Sequence, residues 1–358
     1  MNKRTRPGIN TAQDCRQRQS FASELRTAYR LRWKRRRLLF RALRKRRQLS
    51  VVSDRTDQIG SRDLIAASTV RNEIARLPFF LSYYRKLGID HFLFVDNDSD
   101  DGTREFLGKQ PDVSLWATPH SYKLSRFGID WLTWLQIKYA HGHWCLTVDA
   151  DEFFVYPYHD ERPLRELTNW LDANQTRSFG AIMLDMYPKG RLAENAYVPG
   201  NDPFETLCWF DADNYTFTYQ PVLKNLWIQG GVRARRFFSD DPRRAPTLGK
   251  KPLVKWNRRY VYVSSTHSLL PRCLNDVHEE TAGEMASGVL LHAKFLDSVV
   301  QRSAIEKQRK EHFANSEYYE SYYDSVSANP CLWCADSVRY SDWKQLESLG
   351  LMSRGQWR

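Results

Sequence analysis

Two acidic runs, each directly behind a short apolar run, are where this chain has the residue types to do chemistry. The first is Val95-Asp96-Asn97-Asp98-Ser99-Asp100-Asp101-Gly102-Thr103, and the second is Leu146-Thr147-Val148-Asp149-Ala150-Asp151-Glu152-Phe153-Phe154. An apolar run ending in carboxylates reads as a buried strand that delivers acids to a sheet edge, where ligands of parallel sheets bind. In the second run three acids fall within four residues. Charges so close repel one another, and partial shelter from water makes the repulsion worse. A divalent cation would remove the conflict, and hard oxygen donors suit Mg²⁺ or Mn²⁺, ions commonly shared with substrate phosphates. Asp149 and Asp151 are the expected metal ligands. The alternative is an acidic turn in solvent, against which the flanking Phe153, Phe154 and Val155 argue. In the first run Asp96 is placed to accept hydrogen bonds from a ribose or a base edge, and an Asx-rich turn capping a helix is the plainer reading.

Two further segments carry candidate side chains. In Leu290-Leu291-His292-Ala293-Lys294-Phe295, His292 and Lys294 share one face of a strand. Lys294 could supply a cation, and His292 is either a ligand or, as a lone histidine more often is, a satisfied structural residue. Gly230-Gly231-Val232-Arg233-Ala234-Arg235-Arg236 pairs two glycines, which permit close backbone approach, with forked phosphate donors. Arg233 and Arg235 are thus candidates for a diphosphate, and a hairpin turn with a basic flank is the alternative. Asp240 and Asp241, just beyond, are candidates for a catalytic base by position only; a solvated turn before Pro242 is the competing reading.

The elements that must position these residues read as alternating strands and helices from residue 64 onward. Leu64–Val70, His91–Val95, Val113–Trp116 and Trp144–Val148 are the expected strands. A helix opening at Pro78 and stopped at Gly88, another starting at Thr103, and one over Phe127–Ala140 lie between them. This alternation predicts an α/β fold with a mostly parallel central sheet. Beyond residue 155 a helix near Leu164–Leu171, strands near Ala181–Met186, Tyr215–Tyr219 and Tyr260–Ser264, and a long charged helix over Val299–Tyr323 are expected. The expected organisation is a basic N-terminal arm at 1–60, a catalytic domain at 61–325 with nucleotide-binding (61–155) and acceptor (156–325) halves, and a tail at 326–358.

With 358 residues, of which 42% are hydrophobic, the chain can bury a sizeable core. Its net charge of +12 is unevenly placed: residues 1–50 hold 17 Lys and Arg against Asp14 and Glu24, while the rest hold 37 bases against 40 acids. A basic segment bearing Trp33, Leu38, Leu39 and Phe40 can lie on an anionic membrane surface, or remain a solvated arm. The near-neutral body argues against nucleic acid as the main partner. No stretch approaches the length of an apolar membrane span and no apolar leader follows the basic N-terminus, so a cytoplasmic location, peripheral on the inner membrane face, is expected. Six scattered cysteines, with one C-x-x-C pair at Cys331 and Cys334, read as reduced thiols.

Arg71-Asn72-Glu73 after the first strand, the D-N-D-S-D-D-G-T run and the D-A-D-E run, taken together, resemble bacterial family 2 glycosyltransferases of the GT-A fold. The resemblance spans about residues 65–325 and is densest over 69–155. It implies a Rossmann-like fold and a nucleotide-diphospho-sugar donor. Asp96 would meet the base, with Asn72, Glu73 and Asp98 lining the same pocket. Asp149 and Asp151 would match the D-x-D metal motif, with a late His completing it, as His292 could. An inverting transfer to a carbohydrate or lipid-linked hydroxyl, in cell-surface glycan or polysaccharide synthesis, is the implied reaction. Two other readings stay open: a nucleotidyltransferase of similar fold, although Val70-Arg71-Asn72-Glu73 replaces the glycine-rich loop that one needs, and a non-enzymatic protein binding nucleic acid or membrane through the basic arm.

Overall fold

The four apolar runs between residues 64 and 148 do form adjacent strands. The computed structural model of the chain describes residues 21–276, 285–303 and 320–358. Its strands in chain order are β1 (Ser50–Ser53), β2 (Ile65–Val70), β3 (His91–Asp96), β4 (Val113–Ala117), β5 (Trp144–Thr147), β6 (Glu152–Val155), β7 (Ser178–Asp185), β8 (Trp209–Phe210), β9 (Thr216–Gln220), β10 (Asn225–Gln229), β11 (Gly249–Lys255), β12 (Val261–Ser264), β13 (Ser268–Leu270), β14 (Gly288–His292) and β15 (Val338–Arg339). Helices α1 (Phe21–Lys45), α2 (Leu77–Leu87), α3 (Thr103–Gly108), α4 (Ile129–Tyr139), α5 (Leu164–Ala173) and α6 (Gly231–Phe237) are followed by helical stretches at Glu320–Ser327 and Trp343–Ser348. The middle of the charged helix expected over Val299–Tyr323 lies outside the described residues.

Nine strands form one sheet in the order β1-β4-β3-β2-β5-β11-β7-β14-β6. β4, β3, β2 and β5 run parallel, as do β7 and β14, while β1, β11 and β6 oppose them. Six strands therefore share one direction, the mostly parallel α/β sheet that the alternation predicts. Apart from the exposed edge strand β1, its strands are buried on both faces, one packed by Phe80, Leu81 and Tyr84 of α2, the other by Trp131, Leu132 and Leu135 of α4. Pro78 opens α2, and Gly88, at φ 94°, closes it.

The central strand β11 is the element that pattern reading misses. Its sequence, Gly249-Lys250-Lys251-Pro252-Leu253-Val254-Lys255, looks like a basic turn. Pro252 is accommodated by a register irregularity between Lys250 and Leu253 against β7. Successive side chains point to opposite faces, so Lys250 and Lys251 are buried on different sides of the sheet.

Residues 21–60 are joined to the body and are not an arm set apart. Leu31, Leu38 and Ala42 bury the inner face of α1, Arg41 Nε donates to the buried Asp130 carboxylate at 2.5 Å, and Gln48 accepts from the Trp131 indole at 3.0 Å. β1 then pairs with β4 at the sheet edge. The C-terminal segment is likewise docked: Trp357 is buried against the rings of Tyr156, Tyr158 and Trp170. The five cysteines among the described residues are free thiols. No helix of the described residues is long and apolar enough to cross a membrane.

Candidate active site

Strand direction brings the acidic residues to one edge. β3, β5, β7 and β14 end there, delivering Asp96, the Asp149 turn, Asp185 and His292, whereas the opposed β6 and β11 start there, with Glu152 and Lys250. After β5 the chain crosses the ends of β11, β7 and β14 before entering β6 at the far side of the sheet. The Asp149-Ala150-Asp151 turn is this crossing, so its carboxylates face strands distant in sequence. In the ladder His292 stands opposite Glu152 on one side and Asp185 on the other.

His292 is the centre of the arrangement. Its Nε2 lies 3.1 Å from Asp151 Oδ2, and its Nδ1 lies 2.6 Å from Asp185 Oδ1. Asp185 is fixed in turn by two bonds from the Arg233 guanidinium, at 2.6 and 2.8 Å. An ionised carboxylate only accepts, so each ring nitrogen must carry a proton to bond its carboxylate, and with both bonds made the ring is the imidazolium. Burial disfavours the imidazolium, yet Asp151 and Asp185 together raise His292 above the ordinary histidine value. Burial also opposes the Asp151 charge, but His292, Arg76 and Lys294 hold that carboxyl well below its usual range. Burial is likewise outweighed at Asp185, which Arg233 and His292 keep ionised.

Two donors of the expected metal set therefore converge, and their chemistry fits a divalent ion: a carboxylate oxygen facing an imidazole nitrogen whose ring is oriented from behind by a second carboxylate. Asp149 is differently engaged. Its half-exposed carboxylate lies 3.3 Å from Lys250 Nζ, and Lys250 also bonds the buried Glu152. Among the described residues no group of three or more His, Cys, Asp or Glu is arranged to hold a metal. The repulsion inferred from three neighbouring acids is thus relieved in part by the chain's own lysine. Burial pushes the Glu152 carboxyl up to about 7 against the pull of Lys250, and Lys250, although burial disfavours its charge, is held protonated by Glu152 and Asp149. Lys294 is lowered to about 8 by burial and by Arg233, against the attraction of Asp151 and Asp185.

The edge where a nucleotide is expected is built from the β2 and β3 ends. Asp96 is fully buried; its Oδ2 accepts from Arg104 at 2.7 and 2.9 Å, whereas its equally buried Oδ1 has no partner among the described residues. Asn72, at φ 54°, caps the Asp96 loop: its N–H donates to Ser99 Oγ at 3.0 Å and its Oδ1 accepts from the Asp100 amide at 2.9 Å. Glu73 pairs with Arg76 at 2.7 Å and Arg302 at 2.9 Å, while Asp98 is exposed, 4.0 Å from Arg71. The side-chain-to-backbone bonds of an Asx-rich turn are thus present, with Asp101 Oδ1 accepting from the Thr103 amide at 2.9 Å, and they leave Asp96 Oδ1 unused.

Several expected residues sit elsewhere. Arg233 and Arg235 are committed to the Asp185 and Asp211 carboxylates, so their forks are already filled by protein. The Gly230-Gly231 pair serves the chain's own approach: a Cβ on Gly230 would lie 2.3 Å from the Asn214 carbonyl oxygen. Asp240 is exposed, and Asp241 pairs with Arg243 and Arg244 on the same turn, the solvated alternative. The side chains that sequence reasoning missed are Lys250, Arg76 and Asp185. Asp185 ends an apolar strand like the other acids, a signal available in Ala181–Met186; Lys250 gave none.

No family model matches the chain. It is 25% identical over 146 residues to a glycosyltransferase family 92 protein of Ricinus communis, covering 37% of this chain and 24% of that protein. To a family 92 protein of Arabidopsis thaliana it is 24% identical over 110 residues, covering 28% and 18%. These relatives are glycosyltransferases, as the residue pattern implied, but carry family number 92 where 2 was expected, and the chain spans about a quarter of their length or less. Among solved structures, CMP:2-keto-3-deoxy-manno-octonic acid synthetase complexed with CTP aligns at TM-score 0.22 and 14% identity, covering 42% of this chain and 58% of that one. A Bacillus anthracis protein assigned as a glucose-1-phosphate thymidylyltransferase aligns at TM-score 0.27 and 7% identity, covering 80% and 93%. At these scores neither likeness carries an argument.

Proposed function

We propose that the protein transfers a sugar from a nucleotide-diphosphate donor to an acceptor hydroxyl of a carbohydrate or lipid-linked chain, with Asp151, His292 and Lys294 at the reacting centre. The observation that carries this reading is the meeting of Asp151 and His292 at 3.1 Å across 141 residues of sequence, at the same sheet edge as the half-unpartnered Asp96. The low-identity family 92 relatives support the same class of reaction. In this reading Asp96 Oδ1 accepts from the donor's base or ribose, and Arg104 fixes the carboxylate from its other oxygen. Breaking the anomeric bond leaves a diphosphate of growing negative charge, which needs fixed positive charge where it forms. Lys294 and Arg76, both set near Asp151, supply it from the protein. A divalent ion on Asp151 and His292, Mn²⁺ in preference to Mg²⁺ because of the imidazole, would add Lewis-acid neutralisation of that leaving group. Asp185 and Arg233 act through His292, keeping its ring turned to Asp151. Inversion at the anomeric carbon is the expected course.

A panel of nucleotide sugars, scored by released nucleotide diphosphate, tests this reading. At least one donor should turn over, and Asp151→Asn should lose that turnover while still folding. Turnover that survives Asp151→Asn, or a panel without a single donor, would sink it.

A further inference from the structure

Helix α1 carries ten Lys and Arg and a single acid, Glu24, which Arg272 takes up. Arg41 is engaged by Asp130, but among the described residues Arg30, Lys34, Arg36 and Arg37 have no carboxylate partner. Burial and the neighbouring Arg37, Arg126 and Arg30 all push Lys34 below its ordinary value, so the local potential is uncompensated. The outward face of the same helix exposes Leu25, Tyr29, Trp33 and Phe40. Opposite it stands the β9–β10 hairpin, which exposes Phe217, Val222 and Trp227. Between the two runs a cleft of about 1140 Å³, lined by Arg30, Lys34 and Arg37 together with Trp33, Phe40 and Trp227. The spacing of 30, 34 and 37 stacks the three cations on one side of the helix.

We propose that this cleft docks the protein on an anionic phospholipid surface, with phosphate heads against Arg30, Lys34 and Arg37 and acyl chains against Trp33, Phe40 and Trp227. Uncompensated cations beside exposed aromatic rings match a bilayer's charged heads and apolar interior, and aromatic side chains favour that boundary. Nucleic acid would satisfy the cations, but Val222, Leu223 and Val263 also line the cleft, and a sugar–phosphate backbone offers aliphatic groups nothing to bury. The partner is therefore set by two elements distant in sequence and not by a basic arm alone. The inference does not depend on the transferase reading, because none of these residues belongs to the strand-end cluster.

The test is co-sedimentation of the full chain with vesicles of phosphatidylcholine alone and of phosphatidylcholine mixed with phosphatidylglycerol. Wild type should sediment with the mixed vesicles only, and less as salt rises. Lys34→Gln/Arg37→Gln should weaken binding about fivefold for each charge removed. Trp227→Ala, on the hairpin and without any change of charge, should also weaken it several-fold. Thermal melts matching wild type would keep misfolding out of the comparison, and the exposed Trp227 makes that variant the safer of the two. Unaltered sedimentation of Trp227→Ala would overturn the proposal, since it would leave attachment to general basic charge, residues 1–20 included. So would equal binding to neutral vesicles, or RNA capture that depends on the same residues while vesicles go unbound.

Discussion

Replacing Lys250 by Met tests the electrostatic design of the strand-end cluster. The Lys250 side chain is 4% exposed and Glu152 is 1% exposed, so neither charge can turn to water when its partner is removed. Breaking a buried pair from one side typically costs about 3–5 kcal/mol, a large share of a total stability of roughly 5–15 kcal/mol. Asp149, half exposed, keeps its own hydration and adds little to that loss. Lys250→Met should therefore lose about 3–5 kcal/mol at neutral pH in a urea unfolding titration. Lys250→Met/Glu152→Gln should recover most of the loss, because the double variant buries no charge. The sign of the pH dependence follows from Glu152, whose folded value is raised to about 7 from an unfolded 4.5. A raised carboxyl costs stability above its unfolded value, and removing Lys250 raises it further. The deficit of the single variant should thus shrink as pH falls toward 4.5. A single variant as stable as wild type, a double variant no better than the single, or a deficit that grows on acidification would refute the reasoning.

Other expectations concern the metal ligands and the hairpin. Mn²⁺ affinity, followed by a binding titration, should fall as acidification protonates His292, and because Asp151 and Asp185 raise this residue the fall should begin above the ordinary 6.5; a midpoint below that value would contradict the double-carboxylate environment. In the metal-free chain the same raised value stabilises the fold below 6.5 and loses that contribution as pH climbs through the folded value, which His292→Ala should abolish in a pH series of melts. Chelator should stop donor turnover in wild type, and rates untouched by it would remove the metal from the mechanism. Gly230→Ala should cost about 1–3 kcal/mol in chemical denaturation, since φ of 147° and the Asn214 carbonyl both exclude a side chain there; an unchanged midpoint would show that the hairpin end relaxes freely.

The sequence by itself determined the parallel half of the fold and the acids at its edge. Leu64–Val70, His91–Val95 and Trp144–Val148 are predominantly apolar runs because strands covered on both faces need them, and the Gly88 stop of α2 is a local backbone requirement. Asp96, Asp149 and Asp151 were legible for the same reason: a carboxylate directly after such a run has nowhere to go but the sheet edge. The meaning of these acids depended on what faces them, and that only the tertiary structure decided. Lys250 lies in a Gly-Lys-Lys-Pro stretch without strand periodicity, yet β11 is inserted between β5 and β7, where alternation sends Lys250 to Glu152 and Lys251 to Asn225. Arg233 looked like a phosphate fork until α6 laid it on Asp185. Leu38, expected among the residues facing a membrane, is instead buried with Leu31, because the surface that covers them comes from strands over 220 residues away. Periodicity records which face of an element is buried, because burial acts on each residue in turn. It does not record the partner across the gap, because a pairing is fixed by two segments jointly and by the chain path that brings them together.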